Sequence, residues 1–297
     1  MDRTAEPWAA LKVQVGPEAT EAVAEHLRTL GAAGVAIETG DGDPVVVGYY
    51  PPGAGGPDRL PALRRFLCCL AGWGLNPGRP RAWVELLALE DWQAASRRAF
   101  RPFRVGRRLW IVPAWEGPDL PPAAVAVRLD PGLAFGTGDH PTTRMCLEEI
   151  EAAVSPGDTV LDCGTGSGVL AIAAALLGAV RVRAVDHDPV AVAAACQAVT
   201  LNGLAGRIQV NHGDARDWLR RQLPAQLVVA NLDTASLLGL AHSLPPAVAP
   251  GGQLIVSGLS AGRNRDVAAA LVGAGLEPRG TRSEEGWGLV TAGKPWT

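Results

Sequence analysis

Cysteine is scarce in this 297-residue sequence: Cys68, Cys69, Cys146, Cys163 and Cys196 are odd in number and form neither a C-x-x-C pair nor a metal-ligand spacing. Neither a disulfide framework nor a metal site is expected, and the apolar neighbours of all five predict reduced core thiols. Long hydrophobic runs are also missing. The most apolar stretch, Gly168 to Val180, is shorter than the ~20 residues a membrane-spanning helix needs and reads as a buried helix. The start, Met1-Asp2-Arg3-Thr4-Ala5-Glu6-Pro7, has no basic n-region, apolar h-region or transit pattern, which predicts a cytoplasmic protein with no membrane partner. Charge of one sign is lacking as well. A net charge of −3 gives no global cationic field for phosphate backbones, so no direct nucleic-acid target is expected.

What is present is apolar and globular: 47% hydrophobic and 19% charged residues, over a length that suggests about two domains. Leu11 to Val15 alternates with period two, and Glu18 to Leu30 places Ala22, Val23, Leu27 and Leu30 at helical spacing before Gly31. Gly34–Glu38 and Val45–Tyr49 flank an Asp41-Gly42 turn as a hairpin. A helix over Asp58 to Leu70 and a strand over Ala82 to Leu89 complete a β-α-β-β-α-β order, so residues 1–89 are expected to form a small α+β, ferredoxin-like domain. Residues 90–122 carry five prolines after position 100 together with Arg97, Arg98, Arg101, Arg104, Arg107 and Arg108. They read as a linker with a short helix and hairpin, whose cationic face is either solvated or a docking surface for an acidic partner. From Thr159 onward apolar strands alternate with helices, which specifies a doubly wound α/β domain over residues 123–297.

The strand ending Asp162-Cys163 runs into Gly164-Thr165-Gly166-Ser167-Gly168 and then a helix over Val169 to Leu177. Glycines allow the tight turn and let a ligand approach the helix N-terminus, where unpaired N–H groups favour acceptors. The dinucleotide fingerprint needs its third glycine at Val169, whereas here it falls one residue early, at Gly168. A G-x-G-x-G loop preceded by Asp162 resembles the cofactor loop of class I methyltransferases, which bind S-adenosylmethionine. Asp186 ends the next strand, 22 residues beyond Gly164, where an acid can accept both ribose hydroxyls. Asp188 followed by Pro189 is the better helix cap. Asp214 lies where related enzymes approach adenine, or simply caps the following helix. Asn231 ends the fourth strand, at the sheet edge where open α/β folds bind ligands. Neither a proline pair nor an aromatic follows it, which disfavours a nucleic-acid base as acceptor.

Ahead of the sheet, Leu129 to Thr143 is dense in turn formers and hydroxyls, with Thr142 or Thr143 as the expected cap of a helix over Arg144 to Ala153. In combination the motifs become specific. Phe135-Gly136-Thr137-Gly138, His140-Pro141-Thr142-Thr143, the glycine loop, Asp186 and Asn231, in this order, resemble the ribosomal protein L11 methyltransferase family. Glu90-Asp91-Trp92, Gly106 to Trp115 and Ser257-Gly258 add to the likeness.

The resemblance implies a Rossmann-like, S-adenosylmethionine-dependent enzyme that methylates amino groups of ribosomal protein L11, with the small domain gripping that substrate. It implies cofactor contacts from Thr143, Gly164, Asp186 and Asn231, with Thr137, Asp162, Gly166 and Asp214 as further candidates. Two departures bear on the substrate. Leu232-Asp233-Thr234 places an acid where the family is apolar, and Asp139 stands where a hydroxyl or histidine is expected. Methyl transfer to an amine is an in-line displacement needing orientation and a neutral lone pair, so Asn231 is the candidate to orient the acceptor. Asp233 and His140 are candidate proton acceptors beside plain solvent deprotonation. No metal is expected, and a monomer suffices.

Overall fold

The computed structural model describes residues 8–38, 42–51, 53–73, 75–87, 101–130 and 138–296. The Asp41 half of the hairpin turn, Glu90-Asp91-Trp92, Arg97, Arg98, the short linker helix and Phe135 to Thr137 lie outside these residues. The chain divides into two compact units, Met1–Ala99 and Phe100–Thr297.

In the first unit, strands β1 (Trp8–Gln14), β2 (Gly34–Glu38), β3 (Val45–Tyr50) and β4 (Arg81–Leu87) form an antiparallel sheet in the order β2-β3-β1-β4. With helices α1 (Thr20–Thr29) and α2 (Leu60–Cys69), this is the ferredoxin-like arrangement. Both helices are held by their apolar stripes: Val23, Ala24 and Leu27 on α1, then Leu63 and Leu67 on α2, close on Leu11, Val13 and Val46 of the sheet. Gly31, at φ 84°, ends α1 in the left-handed conformation that its missing Cβ permits. The sole lysine of this unit, Lys12, pairs with Glu85 at 2.8 Å.

The second unit contains a seven-stranded sheet made of β8 (Thr159–Cys163), β9 (Arg181–Asp186), β10 (Ile208–His212), β11 (Ala225–Asn231), β12 (Val248–Ser260), β13 (Glu277–Glu284) and β14 (Trp287–Gly293). Its order is β10-β9-β8-β11-β12-β14-β13, parallel through β12 and closed by an antiparallel pair. The strands are apolar on both faces. On β11, Leu227 and Val229 enter one core, while Val228 and Ala230 enter the other. Helices α3 (Pro141–Ala153), α4 (Val169–Leu177) and α5 (Pro189–Leu201) serve the first core. Helices α6 (Ala215–Leu219), α7 (Thr234–Leu240), α8 (Leu244–Ala247) and α9 (Asn264–Gly273) serve the second. The order reverses between β8 and β11, which opens a crevice at their carboxyl ends. Lys294, just past β14, donates to the carbonyls of Pro245 and Val248 at 3.1 and 2.9 Å. Among the described residues, no helix is long and apolar enough to cross a membrane.

Two expectations need correction. Cys146 and Cys163 are buried, but Cys68, Cys69 and Cys196 are exposed, because the buried stripes of α2 and α5 pass through Leu67 and through Ala195 and Ala198. The stretch read as a linker is a folded sheet from residue 103 onward: β5 (Phe103–Val105) and β6 (Leu109–Pro113) make the expected hairpin, and β7 (Val125–Leu129) adds a parallel third strand. Val105, Leu109 and Ile111 lie in the same core as α3. Asn202 closes the open side of β7 as a strand would. Its Oδ1 accepts from Arg128 N at 2.9 Å, and its Nδ2 donates to the carbonyls of Arg128 and Ala198, each at 2.8 Å. Asn202→Ala strands these backbone groups and is expected to lower stability by about 2 kcal/mol in urea denaturation, whereas an exposed alanine substitution elsewhere on α5 changes it by under about 0.5 kcal/mol.

Candidate active site

The glycine loop leaves β8 and immediately fastens itself to β9, with Gly164 N and Thr165 N both donating to Val185 O at 2.9 and 3.1 Å. Gly164, Gly166 and Gly168 all have positive φ, at 76°, 53° and 83°. A Cβ on Gly164 would lie 2.3 Å from Leu232 Cδ2, so no other residue fits without displacing the strand-end leucine opposite. Gly168 caps α4 without a side-chain bond and lies against Ala195 of α5.

Below the loop, Asp162 is fully buried. Thr165 Oγ1 donates to its Oδ2 at 2.7 Å, while its Oδ1 makes no full hydrogen bond and the Ala171 N–H in the first turn of α4 favours the charged form. Burial, reinforced by the charge of Asp186, pushes the Asp162 carboxyl up to about 6. Asp186 accepts from Gly166 N through Oδ2 at 2.9 Å and from Asp188 N through Oδ1 at 3.0 Å. These bonds fix its carboxylate beside the loop, and each oxygen retains a lone pair for a further donor. Asp188 caps α5 through Val190 N at 2.8 Å, as its Asp-Pro sequence predicts.

On the other side of the crevice, Asn231 Nδ2 donates to Thr143 Oγ1 at 3.3 Å, bringing together two expected site residues 88 positions apart. The carbonyl Oδ1 of Asn231 is the end able to accept from an incoming N–H. Thr143 is buried in the first turn of α3. The cap of that helix is His140 rather than Thr142 or Thr143: its Nδ1 accepts from Thr142 N, because Pro141 at the first helical position moves the boundary upstream. The His140 ring also meets Trp287 edge-on, centroids 4.8 Å apart.

Leu232, between the loop and β12, is a residue that the sequence reading missed. Its N–H donates to Ser257 O at 2.9 Å, and a Cβ on Gly258 would lie 2.2 Å from its carbonyl oxygen. The two glycines that grip it, Gly164 and Gly258, were the available signal. Asp233 caps α7 through Ala235 N and Ser236 N, and bonds from the Ser236 hydroxyl and these amides hold its pKa below the ordinary range. It is therefore an anionic cap. Asp214 likewise caps α6 through Arg216 N at 2.8 Å. A cavity of about 210 Å³ opens beside the loop at Ser167, Asp130 and Ala194, but none of Thr143, Gly164, Asp186 and Asn231 lines it. Among the described residues, no cluster of acidic, histidine or cysteine side chains could hold a metal.

Comparison with known proteins decides what this crevice belongs to. Residues 71–295 match the family described as ribosomal protein L11 methyltransferase. Ribosomal protein L11 methyltransferases from Pelotomaculum thermopropionicum and Geobacter metallireducens are each 38% identical to the chain, over 96% and 98% of it and 98% of their own lengths. The chain belongs to the ribosomal protein L11 methyltransferase family. A crystal structure of ribosomal protein L11 methylase from Lactobacillus delbrueckii subsp. bulgaricus is 32% identical, with a TM-score of 0.61 over 66% of this chain and all of that one. The chain is thus an enzyme of the methyltransferase class, with the Rossmann-like sheet that its strand alternation predicted.

Two tests follow from this geometry. Because folded Asp162 holds its proton more tightly than the unfolded chain does, ionising it penalises the fold fully above about pH 6 and not at all below about pH 4. Asp162→Asn should therefore stabilise the ligand-free protein at pH 8, by an amount on the order of 3 kcal/mol, and the gain should vanish near pH 4 in denaturant titrations. Gly164→Ala should destabilise by about 1–3 kcal/mol, and Leu232→Ala added to it should recover the steric part but not the part due to positive φ.

Proposed function

We propose that this enzyme transfers methyl groups from S-adenosylmethionine to amino groups of ribosomal protein L11, its lysine side chains and its N-terminal α-amine. The observation that carries the reading is the Thr143–Asn231 pair facing the glycine loop across the switch point of the sheet. The relatives named for L11 methylation, which match this chain across both units, support the substrate.

The loop and its floor fit the cofactor. The positive φ of Gly164, Gly166 and Gly168 holds the loop in its turn, Asp186 retains lone pairs for ribose hydroxyls, and the buried Asp162 carboxylate suits a cationic ligand. Thr137, which lies outside the described residues, and Asp214, already engaged as a cap, complete the candidate contacts. When bound, the sulfonium supplies an electrophilic methyl group. The protein's part is to orient and desolvate. Asn231 Oδ1 accepts one N–H of the incoming amine and turns its lone pair toward the glycine loop. Asp233, held anionic by its capping bonds, and His140, whose Nδ1 caps α3, both have structural duties, so the amine proton leaves to solvent. We assign substrate recognition to residues 1–89, a connecting role to the start of 90–122, and chemistry to 123–297. One chain carries every site residue named, so a monomer acting in the cytoplasm is sufficient. No nucleic-acid target or membrane is needed.

Intact-mass analysis of undermethylated L11 incubated with the enzyme and S-adenosylmethionine should show increases in methyl steps; an unchanged mass with cofactor binding intact would remove L11 as substrate. Asp186→Ala should abolish calorimetric cofactor binding, and normal binding would overturn the site assignment. With solvent as base and a lysine pKa of about 10.4, the lysine rate should rise about tenfold per pH unit from pH 7 to 9. A plateau below pH 8 would reveal a general base.

A further inference from the structure

Two arginines tie α3 to the β13–β14 hairpin in reciprocal forks. Arg144, one residue beyond Thr143, sets its Nη2 on the carboxylates of both Glu284 and Glu285, the latter at 2.6 Å. One turn further along α3, Glu148 and Glu149 receive Arg282 of β13 at 2.6 and 3.3 Å. The forks have equal numbers of ion pairs, but Glu285 is the most exposed of the four acids and the neighbours differ. The Arg282 fork lies in the body of the helix and strand. The Arg144 fork lies at the hairpin tip, where Glu285 (φ 50°) and Gly286 (φ 81°) make a two-residue turn. Glu285 is the one non-glycine residue with positive φ among the described residues, an unfavourable conformation for a side chain of this kind. The next residue, Trp287, lies edge-on to His140, the cap of the helix that presents Thr143 to Asn231.

We propose that Arg144 is a positioning residue for methyl transfer: by holding Glu284 and Glu285 it keeps the strained hairpin tip, and with it Trp287, against His140, and so fixes the Thr143–Asn231 pair that orients the acceptor amine. The proposal rests on the acceptor-site reading above. Exposed ion pairs contribute little to folding, and the Arg282 fork already joins the hairpin to α3, so stability alone does not require the second fork. Both carboxylates meet one nitrogen, Nη2, at the far end of the arginine side chain; a lysine keeps the charge on a shorter stem with a different donor geometry.

The Arg282 fork supplies the internal control. Arg144→Gln should lower kcat on L11 about tenfold, as small misplacements of reacting groups do, with cofactor Kd within about twofold of wild type. Arg282→Gln should leave kcat within about twofold while lowering Tm by a similar amount, and Arg144→Lys should fall between wild type and Arg144→Gln. Equal kcat losses in the two glutamine variants, or an unchanged kcat in Arg144→Gln, would overturn the proposal. A second readout does not depend on the substrate. In protein labelled with 5-fluorotryptophan, the Trp287 resonance, assigned through Trp287→Phe, should shift and broaden in Arg144→Gln but not in Arg282→Gln. A Trp287 resonance unmoved in Arg144→Gln would sink the brace even if L11 were the wrong substrate, and a moved one with no turnover of L11 by wild type would place the fault in the substrate reading instead.

Discussion

The turn from β8 into α4 is the constraint on which the rest of the second unit depends. Within five residues the chain must reverse from strand to helix, stay open above, and cover a carboxylate with no access to water. Three left-handed glycines and two amides on Val185 O accomplish the reversal. The neighbouring elements then have little choice of residue. Leu232 must fit under Gly164, Gly258 must yield to the Leu232 carbonyl, and Asp186 must take the amide of Gly166. The same crowding explains why Asp162 is tolerated at all. An unmatched oxygen in a dry site is destabilising, and a position of that kind persists where binding a ligand offsets the penalty.

Much of this was legible in the sequence because it is written in short-range chemistry. The helix over Val169 to Leu177 coincides with the expected one: glycine precedes it, glycine follows it, and it is apolar on every side. The β-α-β-β-α-β order of the first unit follows from period-two and helical stripes that never conflict. Asn231 and Thr143 could be named separately from strand-end position and motif, and their meeting is a consequence of sheet order, which spacing alone does not encode.

The parts that were hidden share a different character. His140 was overlooked as a cap because hydroxyl and carboxylate side chains are the usual choice, and the proline that settles the boundary follows it by one position. The short strand β7 follows a proline-rich stretch, and Arg128 separates its two buried residues, so its apolar pattern is only five residues long. The β13–β14 hairpin is placed by the pairing of β14 with β12, a partner that spacing does not reveal, and its ion pairs to α3 span some 130 to 140 positions. Its turn carries glutamate where asparagine or glycine would have announced it. In Asp233 the sequence offers an acid whose role is ambiguous until the helix it caps is seen to begin at the next residue.

The lysines follow a logic of their own. The sequence has two, and both amines are engaged: Lys12 by the Glu85 carboxylate, which holds its pKa above the ordinary value, and Lys294 by two main-chain carbonyls. Elsewhere the positive charge of the chain is arginine, whose guanidinium stays protonated and has no lone pair to donate. A methyltransferase of this make offers a second copy of itself no unengaged lysine side chain.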